Sequence, residues 1–257
     1  MARTGLVLTV ITVGMTLSCA VSCGGAQELS PPSQRILVIA ESEDATQGML
    51  HRFEGSGDSW QQVGSPVPVV FGSGGVGDKV EGDGKSPQGS YALGTAFGYG
   101  ENAPPGLRIP YLALAPEAVC VDDAASPDYN RILNVPSVEA DETGGYSSAE
   151  RMRRDLAYGD GLYEHGVVVQ YNAEGGRDLS TGVGKGSCIF LHVWRTDTSP
   201  TAGCTAMSRG DLLELLAWLD PEKEPRLVQG SRAFIENLAR TGELPFPVPA
   251  LPGLPVG

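Results

Sequence analysis

The segment FLHVWRTDTSPTAGCTAMS, residues 190–208, decides the fold and the chemistry expected of this chain. It begins in an apolar run rich in β-branched and aromatic residues, which predicts a strand over 188–194. A polar stretch with a proline follows and predicts a loop, which leads to Cys204. Because alternate side chains of a strand share one face, four residues are expected together: Cys188, Phe190, His192 and Trp194.

A strand histidine and a cysteine after the next loop can meet at one place. The thiolate is the nucleophile, so Cys204 needs a base such as His192 in order to react. The helix predicted after Ser208 would favour the thiolate through its dipole, and backbone N–H groups near Gly203 would stabilise an oxyanion. By spacing alone, a catalytic role and a structural role both stay open.

The rest of the chain is turn-rich and predicts a mainly β domain. It has 35 glycines and 19 prolines, and its apolar runs are short and separated by turn residues. This pattern favours an antiparallel sheet or sandwich in one domain with a sizeable core. Apolar runs are found at 35–41, 48–54, 60–63, 67–71, 90–95 and 167–171.

Only a few short helices are expected. Ser147 begins a capping-box pattern that predicts a helix over 149–158. Ser208 caps a second predicted helix, and a third is expected over 231–241. From Pro245 onward the chain is rich in proline and is expected to lack core residues.

The first residues have the pattern of a secretory signal over 1–23. An early arginine precedes an uncharged, mostly apolar run over 5–21. Small residues before Cys23 are typical of a bacterial lipoprotein signal, in which that cysteine is lipidated. Two other interpretations of this segment are ordinary signal cleavage after Ala26 and an uncleaved membrane anchor. A flexible leader is expected over 24–34. The folded domain is therefore expected outside the cytoplasm, membrane-associated if Cys23 is lipidated.

Composition argues against several classes of partner. The formal net charge is −13 at pH 7, which excludes a nucleic-acid partner because nothing would neutralise the phosphates. Asp122 and Asp123 are adjacent carboxylates, but no second group of metal ligands accompanies them. Thiol chemistry needs neither a metal nor a cofactor, so none is expected.

The chain has five cysteines, of which Cys19 and Cys23 belong to the signal region. The folded part then holds Cys120, Cys188 and Cys204, an odd number for an oxidising compartment. One interpretation pairs Cys120 with Cys188 and leaves Cys204 free; the other keeps all three reduced. The sequence does not decide between them.

Two pieces of the opening segment, IFLHVWR (189–195) and SPTAGCTAM (199–207), resemble the catalytic segment of the YkuD-type L,D-transpeptidases, a family of peptidoglycan enzymes. The resemblance is to a divergent branch with a Thr-Ala-Gly-Cys motif, and it implies a catalytic domain over 35–230, followed by a helix and a proline-rich tail over 231–257. Other similar pieces occur in order: GDKVEGDGKSPQGSYALG (77–94), VCVDDAASPDYN (119–130), SSAERMRRD (147–155) and LYEHGVVVQYN (162–172).

The resemblance implies that Cys204 is the nucleophile, that His192 is its general base, and that Gly203 lets backbone amides approach the oxyanion. The better-known motif of the family has a histidine where Ala202 stands, so His192 alone can serve from this segment. That motif also has an arginine soon after the cysteine, which is missing here. Binding of the substrate carboxylate then falls to other candidates: Arg195, or the cluster Arg151, Arg153 and Arg154.

Three aromatic or imidazole side chains have open roles. Trp194 shares the predicted face of His192 and would either stack on a peptide stem or pack in the core. His165 begins a predicted strand and would orient His192, line the cleft or be structural. His51 is expected to face solvent.

The implied activity is peptidoglycan L,D-transpeptidation on stem peptides. A thioester forms at Cys204, and an amine resolves it into a 3→3 cross-link or an anchored amine. Hydrolysis of the same bond, by an L,D-carboxypeptidase or amidase, is the alternative. A non-catalytic wall-binding lipoprotein on the same scaffold is the second alternative, although it would be expected to lose the Cys204–His192 pair.

Overall fold

The computed structural model describes residue 1 and residues 33–135, 143–173 and 184–250. Cys23 and the rest of the predicted signal and leader, from residue 2 to residue 32, lie outside the described residues, as do residues 251–257 of the tail. None of the described helices is both long and apolar enough to cross a membrane.

The described secondary structure is dominated by strands. They are β1 (Gln34–Ala40), β2 (Gln47–Ser56), β3 (Ser59–Val70), β4 (Val76–Gly77), β5 (Ser86–Pro87), β6 (Gly89–Gly98), β7 (Tyr111–Ala113), β8 (Val119–Val121), β9 (Ile132–Leu133), β10 (Ala149–Arg151), β11 (His165–Val169), β12 (Phe190–Val193), β13 (Thr205–Met207) and β14 (Arg226–Ser231). The α-helices are α1 (Arg154–Ala157), α2 (Arg209–Trp218) and α3 (Arg232–Thr241), and a 3₁₀ turn spans Pro221–Lys223.

Nine of the strands form one sheet in the order β11-β12-β13-β3-β2-β1-β14-β6-β7. Because β11 also pairs with β6, the sheet closes into a ring that leaves out β7. Most neighbours are antiparallel, while β1–β14, β12–β13 and β6–β7 are parallel. A smaller sheet has the order β10-β8-β9. The predicted mainly β fold with a few short helices is confirmed.

Strand β1 shows how the sequence builds the two faces of the large sheet. Its continuous apolar run buries both faces, as is typical of an interior strand. Ile36 and Val38 belong to the core inside the ring. Leu37 and Ile39 point the other way, into a cluster that includes Ile235 of α3. The core therefore has one layer within the ring and another beneath α3.

The predicted helix over 149–158 is wrong. Ala149–Arg151 forms β10, in which Glu150 lies opposite Cys120 of β8, and the helix that follows is only the four-residue α1. Strand pairing prevails over the capping pattern because the Glu150 side chain accepts a hydrogen bond from Tyr163. The helices α2 and α3 are confirmed, and the Ser208 side chain caps α2 as predicted.

Two smaller predictions are also wrong. His51 is buried, with 1% of its surface exposed, because β2 is an interior strand and His51 lies opposite Leu37 of β1. The segment after Pro245 does contribute to the core: the Phe246 ring stacks on Phe53 with 4.0 Å between centroids. The proline-rich composition hides this aromatic anchor.

Candidate active site

A cavity of about 420 Å³ lies beside β12 and is also lined by Glu150 of β10 and by residues of several loops. It collects most of the candidate site residues that the sequence singles out. Those that line it are Arg154, Cys188, His192, Trp194, Arg195, Gly203 and Cys204.

The register of two parallel strands sets the relation between His192 and Cys204. His192 lies opposite Ala206, and Leu191 lies opposite Thr205, so Cys204 enters the sheet beside Phe190. The Phe190 N–H donates to the Cys204 Sγ at 3.3 Å. Both His192 and Cys204 line the same cavity.

Cys204 is a buried, free thiol. Its Sγ donates to the carbonyl oxygen of Cys188 at 3.3 Å. Burial raises the pKa of Cys204 to about 12, with the nearby Glu150 carboxylate acting in the same direction. The thiol is therefore the resting form.

The predicted help from a helix dipole does not apply to Cys204. Strand β13 lies between this residue and the cap Ser208, and its three residues extend over roughly 10 Å. The effect of a helix dipole falls off within the first turn.

His192 is also buried, and its environment fixes its tautomer. Nδ1 lies 2.8 Å from the carbonyl oxygen of Val193; because a carbonyl only accepts, Nδ1 carries the proton and Nε2 is the basic nitrogen. The edge of the Tyr163 ring meets the imidazole with 5.1 Å between centroids. Burial lowers the pKa of His192 to about 4, and the Arg154 guanidinium adds to this. The imidazole is neutral and able to accept a proton.

Cys120 and Cys188 form a disulfide, as one of the two sequence interpretations proposed. Cys188 has a positive φ of 55°, an uncommon conformation for a residue other than glycine. Its N–H donates to Asn130 Oδ1 at 2.9 Å, and its carbonyl accepts from Cys204. The disulfide and the Asn130 contact thus hold the carbonyl that orients the thiol.

The small sheet supplies the opposite wall through Glu150 of β10. The Tyr163 hydroxyl donates to Glu150 Oε1 at 2.6 Å, and the Arg154 guanidinium lies 3.8 Å from the same oxygen. Burial raises the pKa of Glu150, while the bond from Tyr163 opposes the shift. Since Tyr163 also packs on His192, the wall supports the imidazole.

Gly203 sits in a tight turn that excludes any side chain. Its φ is +149°, and a Cβ atom would lie 2.9 Å from Lys79 Nζ and 3.0 Å from the carbonyl oxygen of Lys85. Its own N–H, expected to face an oxyanion, instead donates to Thr201 Oγ1 at 3.1 Å. The backbone of Cys204 is held by the hydroxyls of Thr201 and Ser86, which both donate to its carbonyl.

The arginines proposed for carboxylate binding are mostly paired with acids. Asp160 receives both Arg154 and Arg195, at 2.8 Å and 3.2 Å, and Arg153 pairs with Asp155 at 2.7 Å. Arg154 and Arg195 line the cavity, whereas Arg151 and Arg153 are not among its lining residues. Of the proposed cluster Arg151, Arg153 and Arg154, only Arg154 therefore lines the cavity.

His165 does not line the cavity. Its neighbour Gly166 lies opposite His192, so alternation turns the His165 side chain to the other face of the sheet. There its Nε2 lies 3.6 Å from Glu164 Oε1. Trp194, in contrast, does line the cavity, on the His192 side.

The model of the YkuD family, the L,D-transpeptidase catalytic domain, matches residues 45–235. The chain belongs to the YkuD family. The matched range includes every residue described above as lining the cavity.

Solved structures of low identity are similar to this YkuD domain in part. The helical cell shape determining protein Pgp2 from Campylobacter jejuni matches at 16% identity and a TM-score of 0.37, covering 80% of this chain and 52% of that chain. Its K307A mutant matches at 16% identity and a TM-score of 0.33, covering 79% and 51%. The chain thus spans about half the length of these proteins. No curated protein gives a significant sequence match.

Several cavity residues of the YkuD domain were not foreseen as site residues: Lys79, Glu81, Glu150, Tyr163 and Ser187. All of them except Ser187 lie within the sequence segments that resemble the family, so this resemblance could have pointed to them as site residues. Their functional position depends on contacts between distant segments, such as Ser187 Oγ donating to Glu81 at 2.7 Å. Residue spacing does not reveal such contacts.

Proposed function

We propose that this YkuD domain is a peptidoglycan L,D-transpeptidase that acts on stem peptides through a thioester at Cys204. The observation that carries the proposal is that one cavity is lined by both a free thiol, directly before β13, and an imidazole on the adjacent strand β12. The imidazole has its Nδ1 proton fixed by Val193, which makes Nε2 the proton acceptor.

The reaction follows from that arrangement. Nε2 of His192 accepts the thiol proton as Sγ of Cys204 attacks the carbonyl at the L-centre of the third stem residue. The tetrahedral intermediate collapses, the C–N bond to the terminal D-residue breaks, and His192 returns the proton to the leaving amine. An acceptor amine then attacks the thioester, releases the thiol and forms the new amide bond.

Proton transfer concerted with attack suits the two neutral groups. Burial keeps the thiol protonated and the imidazole unprotonated, so no resting ion pair is required. The base acts when the substrate carbonyl is in place.

The location proposed for this activity is outside the cytoplasm, where peptidoglycan stem peptides occur. The signal pattern over residues 1–23 supports this location, and Cys23 is the proposed lipidation site. The Cys120–Cys188 disulfide agrees with an oxidising compartment.

The test uses the purified domain with a tetrapeptide muropeptide, with and without an amine acceptor. We expect an intact-mass adduct at Cys204 equal to the acyl tripeptide muropeptide, and a cross-linked product when the amine is present. Cys204→Ser is the control and should give no thioester. Trimmed monomers alone would mean that water resolves the thioester and the domain is a carboxypeptidase. No adduct, with wall binding retained by Cys204→Ser, would support the non-catalytic alternative.

A further inference from the structure

A lysine ammonium lies next to the loop that carries the nucleophile. The Lys79 side chain is only 3% exposed, although it lines the same cavity as Cys204. Its Nζ is 2.9 Å from the point where a Cβ on Gly203 would lie. The ammonium therefore lies against the residue that precedes Cys204, where a positive φ of 149° favours glycine.

The loop that carries Lys79 holds the ammonium in one position. Asp83 Oδ1 accepts from Lys79 Nζ at 3.0 Å and from the Lys85 N–H at 2.9 Å, while Oδ2 accepts from the Val80 N–H at 2.8 Å. The Lys79 carbonyl accepts from Tyr171 at 2.9 Å. The Asp83 carboxylate is thus shared among three donors and neutralises Lys79 only in part.

The ammonium has donors to spare. A lysine ammonium carries three N–H groups, and among the hydrogen bonds described, Lys79 donates one, to Asp83. By contrast, the Gly203 N–H is already committed to Thr201. Arg154 and Arg195 are both bonded to Asp160. An anion formed beside Cys204 would therefore find Lys79 as its nearest incompletely paired cation within the described cavity.

We propose that Lys79 is a catalytic residue whose ammonium binds the oxyanion formed on the scissile carbonyl when Cys204 attacks it. This role rests on the proposed function of Cys204. Charge that develops in the tetrahedral intermediate is stabilised most by a preorganised donor in a water-poor site.

The electrostatic effect of Lys79 on the thiol is consistent with this position. Burial raises the pKa of Cys204, and the Lys79 ammonium opposes that rise. The ammonium therefore lies in the electrostatic neighbourhood of the thiol.

The first test compares Lys79→Met with the exposed-lysine control Lys185→Met, which removes the same charge from the neighbourhood but outside the cavity lining. For acylation by a tetrapeptide muropeptide, we expect Lys79→Met to lower kcat about 100-fold with KM within about twofold, as for loss of one oxyanion donor. Lys79→Arg should recover part of the rate. Lys185→Met should behave like the wild type.

A rise in KM with unchanged kcat would overturn the proposal, because it would make Lys79 a binder of the substrate carboxylate instead. Unchanged kcat and KM would overturn it as well. If Lys79→Met does not fold by thermal melting, Lys79→Gln, which keeps a donor to Asp83, replaces it with the same expectations.

A second measurement needs no substrate and separates this proposal from the proposed function. The rate of Cys204 alkylation by iodoacetamide is followed against pH, and Lys79→Met should shift the profile to higher pH relative to Lys185→Met, because the ammonium that favours the thiolate is lost. No shift would overturn the role of Lys79, whether or not the wild type acylates. If the alkylation profile shifts but the wild type is not acylated by the muropeptide, Lys79 does lie near the thiol, and the proposed transpeptidase function is refuted.

Discussion

The large sheet and the small sheet meet at the cavity, but they hold their residues in different ways. His192 lies on β12, and Cys204 directly precedes β13, which pairs with β12 in the backbone ladder of the large sheet. The small sheet reaches the same cavity through the Cys120–Cys188 disulfide, the Tyr163–Glu150 hydrogen bond and the contact of Asn130 with the Cys188 N–H. The reactive pair is therefore placed by the strand ladder, whereas the supporting wall is held by a disulfide and individual side-chain hydrogen bonds.

The largest effect should come from removing the base on the large sheet. His192→Gln is expected to lower kcat/KM for acylation about 10²–10⁴-fold, the range for loss of a general base. The fold should persist because the β12–β13 ladder does not depend on this side chain. Muropeptide acylation followed by mass spectrometry measures it, with circular dichroism as the control. Wild-type rates in a folded His192→Gln variant would show that another group takes the proton.

The next effect should come from breaking the covalent link of the small sheet. The double variant Cys120→Ala, Cys188→Ala opens a loop with a sequence separation of 68, and its unfolding free energy should fall by roughly 2–4 kcal/mol. Acylation should slow about tenfold, because the Cys188 carbonyl that orients the thiol loses one anchor. Denaturant unfolding and acylation rates check both.

The control for that variant is the wild type treated with reductant, which should show the same loss of rate. Reductant should leave the double variant unchanged. A double variant as fast as the wild type would mean that the Asn130 contact alone positions Cys188.

The second link of the small sheet should have a smaller effect on stability. Tyr163→Phe keeps the ring against His192 but removes the hydroxyl that donates to Glu150. Leaving this partly buried carboxylate oxygen without its donor should cost at most about 1–3 kcal/mol. Tyr111→Phe, which removes a hydroxyl bonded to the Gly100 carbonyl at a less buried site, is the matched control. Equal losses in urea unfolding would contradict a special role for the Glu150 bond.

The pH dependence of stability offers a finer test of the same wall. Burial raises the pKa of Glu150, so the folded protein disfavours its charged form. Its contribution is fully present below the ordinary glutamate pKa and is lost as the pH rises through the raised value. The wild type should therefore lose stability relative to Glu150→Gln as the pH rises above about 4.5. Urea midpoints at several pH values test this, and a difference independent of pH would contradict it.

The smallest effect is expected at the cavity rim. Arg195 is 59% exposed, and its partner Asp160 keeps its closer bond to Arg154 when Arg195 is removed. Arg195→Ala should change the unfolding free energy by less than about 0.5 kcal/mol. Thermal melting checks this, and a loss above about 1 kcal/mol would show that Asp160 needs both arginines.

Two serine caps show where sequence patterns succeed and where they fail. Ser208 precedes a leucine-rich helix and caps it, with its side chain accepting from the Asp211 N–H. Ser147 begins a similar pattern, yet its Glu150 belongs to β10 and accepts from Tyr163. A capping motif predicts a helix correctly when its own residues make the capping hydrogen bonds. It fails when a residue far away in the sequence binds one of them instead.

Local patterns in the sequence were enough to predict the mainly β fold, the helices α2 and α3, and Cys204 and His192 as candidate site residues. These predictions follow from alternation, capping and motif order, which are properties of neighbouring residues. Three-dimensional packing was needed to show that Cys204 lies beyond reach of a helix dipole, that His165 faces away from the cavity, and that Lys79 lies beside Gly203. Those facts depend on strand register and on contacts between segments far apart in the chain, which local patterns do not encode.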